Sequence, residues 1–285
     1  IPYFNRFMKT FPTLESLAKA DQQLVLKKWE GLGYYSRARN LHKAAKMLIN
    51  EFDGVIPEDY ETLQKLPGIG PYAAAAITSI AFNKPVPVVD GNVLRVFSRY
   101  WGLTDDIRLP KVRDYLFNKL TPPIQNACPS VFNQAIMELG ALICKPKNPQ
   151  CQICPINNNC YALKNNKTAE LPFKSKAKKV PHYNIGVGII WKNNKLLIAK
   201  RKQEQMLGGL WEFPGGKQKE DEDIKTTIKR EILEETNLDI EIAQEVCQVK
   251  HSYSHFKITL HAYNCSVISG REKAISSDEI KWISY

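Results

Sequence analysis

The spacing of apolar residues divides the chain into a helical first part and a mixed second part. From residue 1 to 142, apolar positions recur with helical spacing between short polar or Pro/Gly breaks. We place such breaks at residues 11–13, 53–54 and 121–123. One helix is clear because six apolar residues follow the 3.6-residue period: Leu41, Ala44, Ala45, Leu48, Ile49 and Phe52.

The period changes after residue 181. Residues 184–191 and 196–200 predict two strands around an Asn193–Asn194 turn. Further along, the pattern predicts one helix at residues 223–236, followed by strand-like runs at residues 240–249 and 257–266. An all-α part is therefore followed by a smaller α/β part.

We divide the chain into three segments on this basis. Residues 1–164 form a helical domain that includes a cysteine-rich loop at residues 144–160. Residues 165–181 are polar, basic and poor in large apolar side chains, which is typical of a linker. Residues 182–285 form the α/β domain. With 44% hydrophobic residues, the chain is long and apolar enough for two cores.

The formal charge of +11 changes the picture because it is unevenly placed. Residues 1–164 carry an excess of +7 and residues 165–181 an excess of +4, while residues 182–285 are neutral. Lysine and arginine release condensed counterions when they meet phosphates, so this distribution favours a nucleic acid partner. A solvated basic surface is the alternative on charge alone.

Apolar runs along the chain fall short of the roughly 18 residues that a membrane span needs. No charged-then-apolar leader opens the chain as given. We expect a soluble, cytoplasmic protein, located on nucleoid DNA if its partner is DNA, and a monomer.

The stretch LPGIGPYAAAA at residues 66–76 predicts a helix-hairpin-helix turn. Gly68 and Gly70 permit positive φ and leave room for a ligand, and Pro71 suits the first position of a helix. The free N–H groups of that helix then face an anion. An ordinary helix corner with an alanine packing face is the alternative.

A lone carboxylate, Asp90, lies among apolar residues at a predicted helix start in the stretch Val88–Val93. Asp90 can be a simple N-cap. Taken together, the hairpin and this stretch resemble the helix-hairpin-helix and Gly-Asp superfamily of DNA glycosylases. The resemblance implies that Gly68 and Gly70 contact a DNA phosphate.

Four cysteines crowd into one loop with the spacing C-x6-C-x2-C-x5-C, at Cys144, Cys151, Cys154 and Cys160. An all-thiolate set suits an iron–sulfur cluster or a structural zinc ion, and spacing alone does not choose between them. The loop resembles that of endonuclease III and MutY relatives, which implies one four-iron, four-sulfur cluster.

Further stretches resemble the MutY family of adenine glycosylases: residues 31–37 (GLGYYSR), 90–93 (DGNV) and 132–134 (FNQ). Endonuclease III-like enzymes carry a lysine in the helix after the hairpin, where this chain has Tyr72. A tyrosine cannot form a Schiff base with the sugar, so the resemblance implies a monofunctional enzyme. Its substrate would be double-stranded DNA with adenine opposite 8-oxoguanine or guanine, and its pathway base excision repair.

The resemblance also implies roles for single residues. Asp90 would stabilise the oxocarbenium-like sugar and bond to it transiently, as the nucleophile of a retaining glycosidase does. Tyr72 and Asn92 would position Asp90 and the sugar, while Gln134 would contact the flipped adenine. Leu32 and Tyr34 would enter the base stack as a wedge.

In the second domain, residues 216–238 form a nearly complete Nudix box, with Asn237 where the pattern has glycine. We expect Asn237 to disturb the turn after the helix. Three glutamates on neighbouring faces of that helix suit Mg²⁺ and a diphosphate: Glu231, Glu234 and Glu235. A Nudix pyrophosphatase acting on oxidised nucleotides is therefore a rival function, although MutY proteins use such a domain for recognition.

Tyr253, Ser254 and His255 resemble the Phe-Ser-His loop with which MutY reads 8-oxoguanine. The resemblance implies that Ser254 hydrogen-bonds the edge of 8-oxoguanine that distinguishes this base from guanine. A strand-end turn with incidental polar residues is the alternative.

A third class is a DNA-binding protein without catalysis. Family members carry about fifty residues before the position of Ile1, including a glutamate that protonates adenine. The chain as given lacks this segment. We therefore expect this chain to bind DNA that contains 8-oxoguanine opposite adenine weakly and to release little adenine, because a general acid typically supplies a factor of ~10² to 10⁴.

Overall fold

The structure is a computed structural model that describes residues 1–176, 180–205, 207–253 and 255–284. The chain separates into two compact units, residues 1–176 and residues 177–285. Within the described residues, no helix is long and apolar enough to cross a membrane.

The first unit is all helical, as the sequence predicts. Its helices are α1 (Pro2–Thr10), α2 (Leu14–Ala18), α3 (Gln22–Trp29), α4 (Tyr35–Glu51), α5 (Tyr60–Leu63), α6 (Pro71–Ala76), α7 (Gly91–Trp101), α8 (Pro110–Gln125), α9 (Pro129–Glu138) and α10 (Tyr161–Lys164). Single π-helical turns, Ile77–Ala81 and Leu139–Ile143, follow α6 and α9. The helix predicted from Leu41 to Phe52 is confirmed as part of α4.

Helix α7 lies at the centre of this unit and begins where Asp90 ends the preceding extended segment. The Asp90 side chain accepts the backbone N–H of Val93, and Gly102 ends the helix in the left-handed conformation at φ +70°. Apolar residues of α7 pack with α8 and α9 in one core: Val93, Leu94, Val96, Phe97, Val112, Leu116, Leu120 and Ile136. Asp90 is thus fixed to a rigid element.

The break predicted at Thr121–Pro123 is wrong, because α8 continues through both prolines to Gln125. A proline inside a helix removes one backbone donor and usually kinks the helix. Here the prolines fall in the last turn, and the Thr121 hydroxyl donates to the Phe117 carbonyl at 2.8 Å. Leu120 and Ile124 remain buried, so packing holds the helix across this point.

The segment 165–176, which its composition assigns to the linker, makes specific contacts within the first unit. Leu171 is buried, and its carbonyl accepts the Arg99 Nε–H at 2.7 Å. The Phe173 carbonyl accepts the backbone N–H of Ile107 at 3.2 Å. These residues extend the first unit beyond its last helix.

The second unit is a mixed sheet with one helix packed on it. Its strands are β1 (His182–Lys192), β2 (Lys195–Lys200), β3 (Trp211–Glu212), β4 (Gly215–Lys217), β5 (Leu238–Ser252), β6 (Lys257–Gly270) and β7 (Glu279–Ser284), and its helix is α11 (Ile224–Thr236). The strand order is β3-β2-β1-β6-β5, with β4 paired to β1 and β7 paired to β2. Strands β1 and β6 are parallel, whereas the other pairs are antiparallel.

Sequence explains the main features of this sheet. Asn193 and Asn194 both have positive φ, +50° and +57°, as the predicted tight turn between β1 and β2 requires. Helix α11 approaches β1 closely, since a Cβ atom on Gly186 would lie 2.6 Å from Ile228 Cγ1. Apolar residues from both sides fill the core: Ile190, Leu197, Ile228, Ile232, Leu238 and Ile240.

Candidate functional site

The hairpin glycines have different roles. Gly68 has φ +82°, and a Cβ atom there would lie 2.7 Å from the Cβ of Asn40, so glycine is required for the turn to pack against α4. Gly70 has φ −90° and caps α6, so of the two glycines only Gly68 uses the positive φ that glycine permits. Gly70 is exposed, and no described atom lies within 4 Å of the position that its Cβ would take. The first turn of α6 is therefore open to a ligand.

Tyr72 lies in this first turn of α6 and is 46% exposed. It follows Pro71, which occupies the first helical position as the sequence predicts. Behind it, Ala74 and Ala75 are buried against the unit. The small side chains thus face the core, and the tyrosine faces outward.

Asp90 is half-buried and both of its carboxylate oxygens are engaged. Oδ1 accepts the Val93 N–H at 2.7 Å, which makes Asp90 an N-cap, and Oδ2 accepts the Asn92 Nδ2–H at 3.1 Å. The N-cap alternative and the catalytic role are therefore compatible in one residue. Both bonds fix the orientation of the carboxylate at the start of the helix.

Arg95 connects this site to the cysteine-rich loop. Its Nη2 donates to Asn92 Oδ1 at 2.8 Å and to the Gly140 carbonyl at 2.7 Å, while Nε donates to the Cys144 carbonyl at 2.7 Å. A Cβ on Gly140 would lie 2.6 Å from the Cβ of Asn92, so glycine permits this approach. Hydrogen bonds therefore connect Asp90 to Asn92, Asn92 to Arg95, and Arg95 to the backbone carbonyl of Cys144.

Arg99, one turn further along α7, is 3% exposed and holds the start of the loop. Its guanidinium donates to the Cys144 Sγ at 3.3 Å and to the carbonyls of Lys145 and Pro146 at 2.7 and 3.0 Å. The Cys160 thiol donates to the Arg99 carbonyl at 3.7 Å. Sequence reasoning missed both arginines, although their i, i+4 spacing on an otherwise apolar helix was a usable signal.

The four loop cysteines line one cavity. Its empty space is about 320 Å³, including the part open to solvent, and it is lined by Arg99 and by Cys144, Cys151, Cys154 and Cys160. Burial and the neighbouring cysteines raise the pKa of the Cys151 thiol, and burial raises that of Cys154. No three His, Cys, Asp or Glu side chains among the described residues meet closely enough to hold a single metal ion. Four thiols around a cavity with a buried arginine fit a polynuclear anionic group.

The turn with Leu32 and Tyr34 is exposed. Leu32 is 43% and Tyr34 is 69% exposed, and Gly31, Gly33 and Tyr34 all have positive φ. The Trp29 Nε1–H donates to the Gly33 carbonyl at 2.9 Å and anchors the turn. A left-handed tyrosine costs of the order of 1 kcal/mol or more, and such strain is concentrated at functional sites.

Gln134 is exposed on α9, and its Nε2 donates to the backbone carbonyl and the hydroxyl of Ser130 at 3.1 and 3.0 Å. Its neighbour Asn133 is fully buried. Neighbouring side chains on this helix therefore differ in environment, since Gln134 is exposed to solvent and Asn133 lies in the core.

In the second unit, the loop after β5 carries Tyr253 and His255, while Ser254 lies outside the described residues. The Tyr253 ring packs against those of His251 and Phe256 at centroid distances of 4.6 and 4.7 Å. The Tyr253 N–H donates to the Phe256 carbonyl at 2.8 Å, and His255 is exposed. Tyr253 and Phe256 therefore belong to an aromatic cluster with His251.

The Nudix-box glutamates are engaged in a network around Arg230. Its guanidinium pairs with Glu222 at 2.5 Å, with Glu231 at 2.8 Å and with Glu234 at 3.2 Å. This pairing lowers the pKa of Glu222 to about 2. Glu235 accepts the Gly215 N–H at 3.0 Å and the Ser276 hydroxyl at 3.0 Å, and burial raises its pKa. These contacts hold the strand-to-helix connection against α11.

The expectation that Asn237 disturbs the turn after α11 is wrong. Asn237 takes the left-handed conformation at φ +58° and ψ +27°, which asparagine tolerates better than other non-glycine residues. Its N–H donates to the Leu233 carbonyl at 3.0 Å, and its Nδ2 donates to the Arg271 carbonyl at 3.1 Å. Asparagine therefore replaces glycine here without loss of the cap.

Three protein-family models match successive parts of the chain. Residues 1–123 match the family model of the HhH-GPD superfamily base excision DNA repair proteins, residues 144–160 match the iron–sulfur binding domain of endonuclease III, and residues 186–285 match the NUDIX domain. The cysteine loop is thus an iron–sulfur binding segment.

Relatives match most of the chain. An adenine DNA glycosylase of Buchnera aphidicola subsp. Schizaphis graminum is 36% identical over 264 residues, which cover 92% of this chain and 73% of that protein. An adenine DNA glycosylase of Rattus norvegicus is 30% identical and covers 100% of this chain and 64% of that protein. Among solved structures, a thermostable thymine-DNA glycosylase is 26% identical, with a TM-score of 0.53, over 57% of this chain and 76% of that one.

Proposed function

The chain belongs to the adenine DNA glycosylase family, and from that premise we propose that it removes adenine mispaired with 8-oxoguanine or guanine in double-stranded DNA. It acts as a monomer, in base excision repair. The observation that carries this proposal is the half-buried carboxylate of Asp90, fixed at the start of α7 by two hydrogen bonds.

Asp90 suits the chemistry of N-glycosidic cleavage. The departing adenine leaves an oxocarbenium-like sugar, which a fixed carboxylate stabilises without reorganisation. The bonds from Val93 and Asn92 fix the orientation of the carboxyl group. Asn92 is held in turn by Arg95, so Asp90 rests on a preorganised set of polar groups.

The first unit offers further groups for DNA. The open N-terminus of α6 at Gly70 suits a backbone phosphate, with Gly68 shaping the turn. Leu32 and Tyr34, on an exposed turn held by Trp29, suit insertion into the base stack. Gln134 is exposed and suited to hydrogen bonds with an extruded base.

We expect the enzyme to be monofunctional because Tyr72 occupies the position of the Schiff-base lysine. In a single-turnover assay with an 8-oxoguanine:A duplex, the chain joined to a MutY-type N-terminal segment with its glutamate, hereafter the full-length protein, should release free adenine and leave the strand intact until alkali is added. Strand cleavage without alkali, together with a borohydride-trapped covalent complex, would contradict this expectation, because both require an amine nucleophile.

The cysteine loop is proposed to hold one four-iron, four-sulfur cluster, with Cys144, Cys151, Cys154 and Cys160 as its ligands. The four thiols surround one cavity beside the buried Arg99. When bound, the cluster supplies a crosslink for a loop whose short helical turns contain no buried residue. Arg95 and Arg99 of α7 bind the start of the loop, through hydrogen bonds to the carbonyl and the Sγ atom of Cys144.

The second unit is proposed to recognise 8-oxoguanine through Tyr253, Ser254 and His255. Two neighbouring rings pack against Tyr253 and support its side chain. Replacing Tyr253 and Ser254 together by alanine should weaken binding to 8-oxoguanine:A duplexes more than to G:A duplexes. The difference should be about 1 to 3 kcal/mol, the size of one good base-edge contact, measured by fluorescence anisotropy.

Ser252→Ala, at the exposed end of β5, is the matched control and should leave both affinities unchanged. Equal losses on both duplexes would show that the loop supports only the fold or backbone contacts. We propose recognition rather than hydrolysis because Arg230 engages Glu222, Glu231 and Glu234. Turnover of 8-oxo-dGTP with Mg²⁺ that disappears in Glu234→Gln, but not in Glu241→Gln, would instead establish the pyrophosphatase alternative.

A further inference from the structure

The extended segment that leads into Asp90, residues 85–89, cannot be held by ordinary strand pairing. Pro85 and Pro87 have no N–H group, so two of its donors are absent. The Val86 N–H turns back to the Lys84 carbonyl at 2.8 Å. Pro87, Val88 and Val89 are nevertheless buried, and their remaining polar groups require partners.

One side chain supplies two of these partners. The carboxamide of Asn133 donates from Nδ2 to the Val86 carbonyl at 2.9 Å and accepts the Val88 N–H on Oδ1 at 2.9 Å. Asn133 is 0% exposed. A carboxamide is suited to this task because it carries a donor and an acceptor on one planar group. Its two bonds reproduce those that a neighbouring strand would make.

A second side chain holds the last residue before the catalytic carboxylate. Arg113 of α8 donates from Nη1 to the Val89 carbonyl at 3.1 Å. Helices α8 and α9 therefore grip three backbone groups in the four residues before Asp90, and these helices pack on α7 in the same core. The backbone before Asp90 is therefore held by side chains of α8 and α9, and the backbone after it is held within α7.

Asn133 also precedes Gln134, which faces outward from the same helix. A shift of α9 along its axis would move the Gln134 amide and, through Asn133, the backbone that carries Asp90. The separation between the group that contacts adenine and the carboxylate beside the sugar is thus set by one helix. This relation rests on the proposed function, because it requires Asp90 to act on the sugar.

We propose that Asn133 is a positioning residue, which fixes Asp90 in register with α9 and so with the base-contacting Gln134. Arg113 supports the same segment from α8. A displacement of about 1 Å at a catalytic group can cost ~10²-fold in rate with little change in binding. Loss of this clamp should therefore appear in the chemical step rather than in affinity for DNA.

The test compares Asn133→Asp with Asn133→Leu in the full-length protein. A buried aspartate can accept the Val88 N–H, but it can donate to the Val86 carbonyl only when protonated, and burial raises its pKa. At neutral pH both variants should lower the single-turnover rate of adenine release by about 10- to 10²-fold. Affinity for a duplex with a non-cleavable adenine analogue should stay within about threefold of wild type.

The pH profile separates positioning from mere support of the core. Relative to wild type, the rate of Asn133→Asp should rise as the pH falls, because protonation restores the second hydrogen bond. The relative rate of Asn133→Leu should not change with pH. Ser79→Ala, which removes a fully buried hydroxyl bonded at 2.7 Å to the Ala75 carbonyl, is the control for lost stability and should keep its rate.

Arg113→Gln tests the same clamp from an exposed position, where folding is not at risk. It should lower the rate several-fold, whereas Lys111→Gln, which removes an equal charge from the same helix, should not. Wild-type rates in the folded Asn133 variants and in Arg113→Gln would overturn the inference, and so would a loss confined to affinity. Asp90→Asn is measured in parallel: if it keeps full activity, the proposed function itself fails, whereas its inactivity beside active Asn133 variants refutes only the positioning role.

Discussion

Replacing Asp90 by asparagine should slow adenine release by the full-length protein by about 10² to 10⁴-fold, since it removes the charge that stabilises the sugar cation. The variant should remain folded. Asparagine is as good an N-cap as aspartate and can still accept the Val93 N–H through its amide oxygen. Its amide nitrogen cannot accept the Asn92 Nδ2–H, so the free energy of unfolding should fall by about 1 kcal/mol through the loss of that one hydrogen bond.

The chain provides a matched control for this substitution. Asp223 is also an N-cap, and its carboxylate accepts the Thr226 N–H at 2.7 Å at the start of α11. Asp223→Asn should leave adenine release unchanged, as measured by chromatography of the free base in single-turnover reactions. If Asp90→Asn also left the rate unchanged, Asp90 would be only a helix cap.

Local sequence signals predicted much of the fold because neighbouring residues determine it. The periodicity from Leu41 to Phe52 produced α4, and the Asn193–Asn194 pair produced a tight hairpin. Both depend on side-chain spacing or on φ preferences within a few residues. The all-α first part and the α/β second part followed from the same signals.

The differences between expectation and structure have separate physical causes, and tertiary packing explains only the prolines of α8. Pro122 and Pro123 stay within α8 because buried neighbours hold the last turn. Gly70 has an ordinary φ, although its glycine neighbour two residues earlier does not. Asn237 keeps a left-handed cap that the Nudix pattern reserves for glycine. In each case the conformation usual for the residue type differs from the backbone conformation that it adopts here.

The candidate site could be predicted only as separate parts. Asp90 and the four cysteines stand out in the sequence, but their roles remain predictions. The links between them join residues 45 to 49 positions apart, as in Arg95 to Gly140 and Arg95 to Cys144. No periodicity or motif reports such a distance, so the support of Asp90 by the loop emerges from the structure alone.

Helix α7 is the element that joins these parts. Asp90 lies at its N-terminus, Arg95 in its middle and Arg99 in its last turns, and the two arginines use their guanidinium groups to hold other segments. Arg99 is buried, so removal of its partners would leave a charge without compensation in the core. The position of the loop and that of the carboxylate are therefore linked through one rigid helix.

The second large effect is expected from the loop itself. Cys144→Ala should remove the cluster, which elemental analysis of anaerobically purified wild-type protein should detect as equal amounts of iron and acid-labile sulfide. The loop has few apolar contacts of its own, so loss of the cluster should lower the free energy of unfolding by several kcal/mol. Cys128→Ala is the control, because Cys128 is exposed and lies outside the loop. Stoichiometric zinc without sulfide would contradict the cluster assignment.

Cys144→Ala should also lower the rate of adenine release. The Cys144 carbonyl accepts Arg95 and its Sγ accepts Arg99, so a loosened loop releases both arginines from one side. Arg95 then no longer fixes Asn92, which orients Asp90. At temperatures where Cys144→Ala is still folded, the cluster-free protein should therefore release adenine about 10²-fold more slowly than wild type. In preparations that retain part of the cluster, the loss of rate should follow the fraction of protein without cluster. A folded, cluster-free protein with the wild-type rate would show that the loop contributes to stability alone.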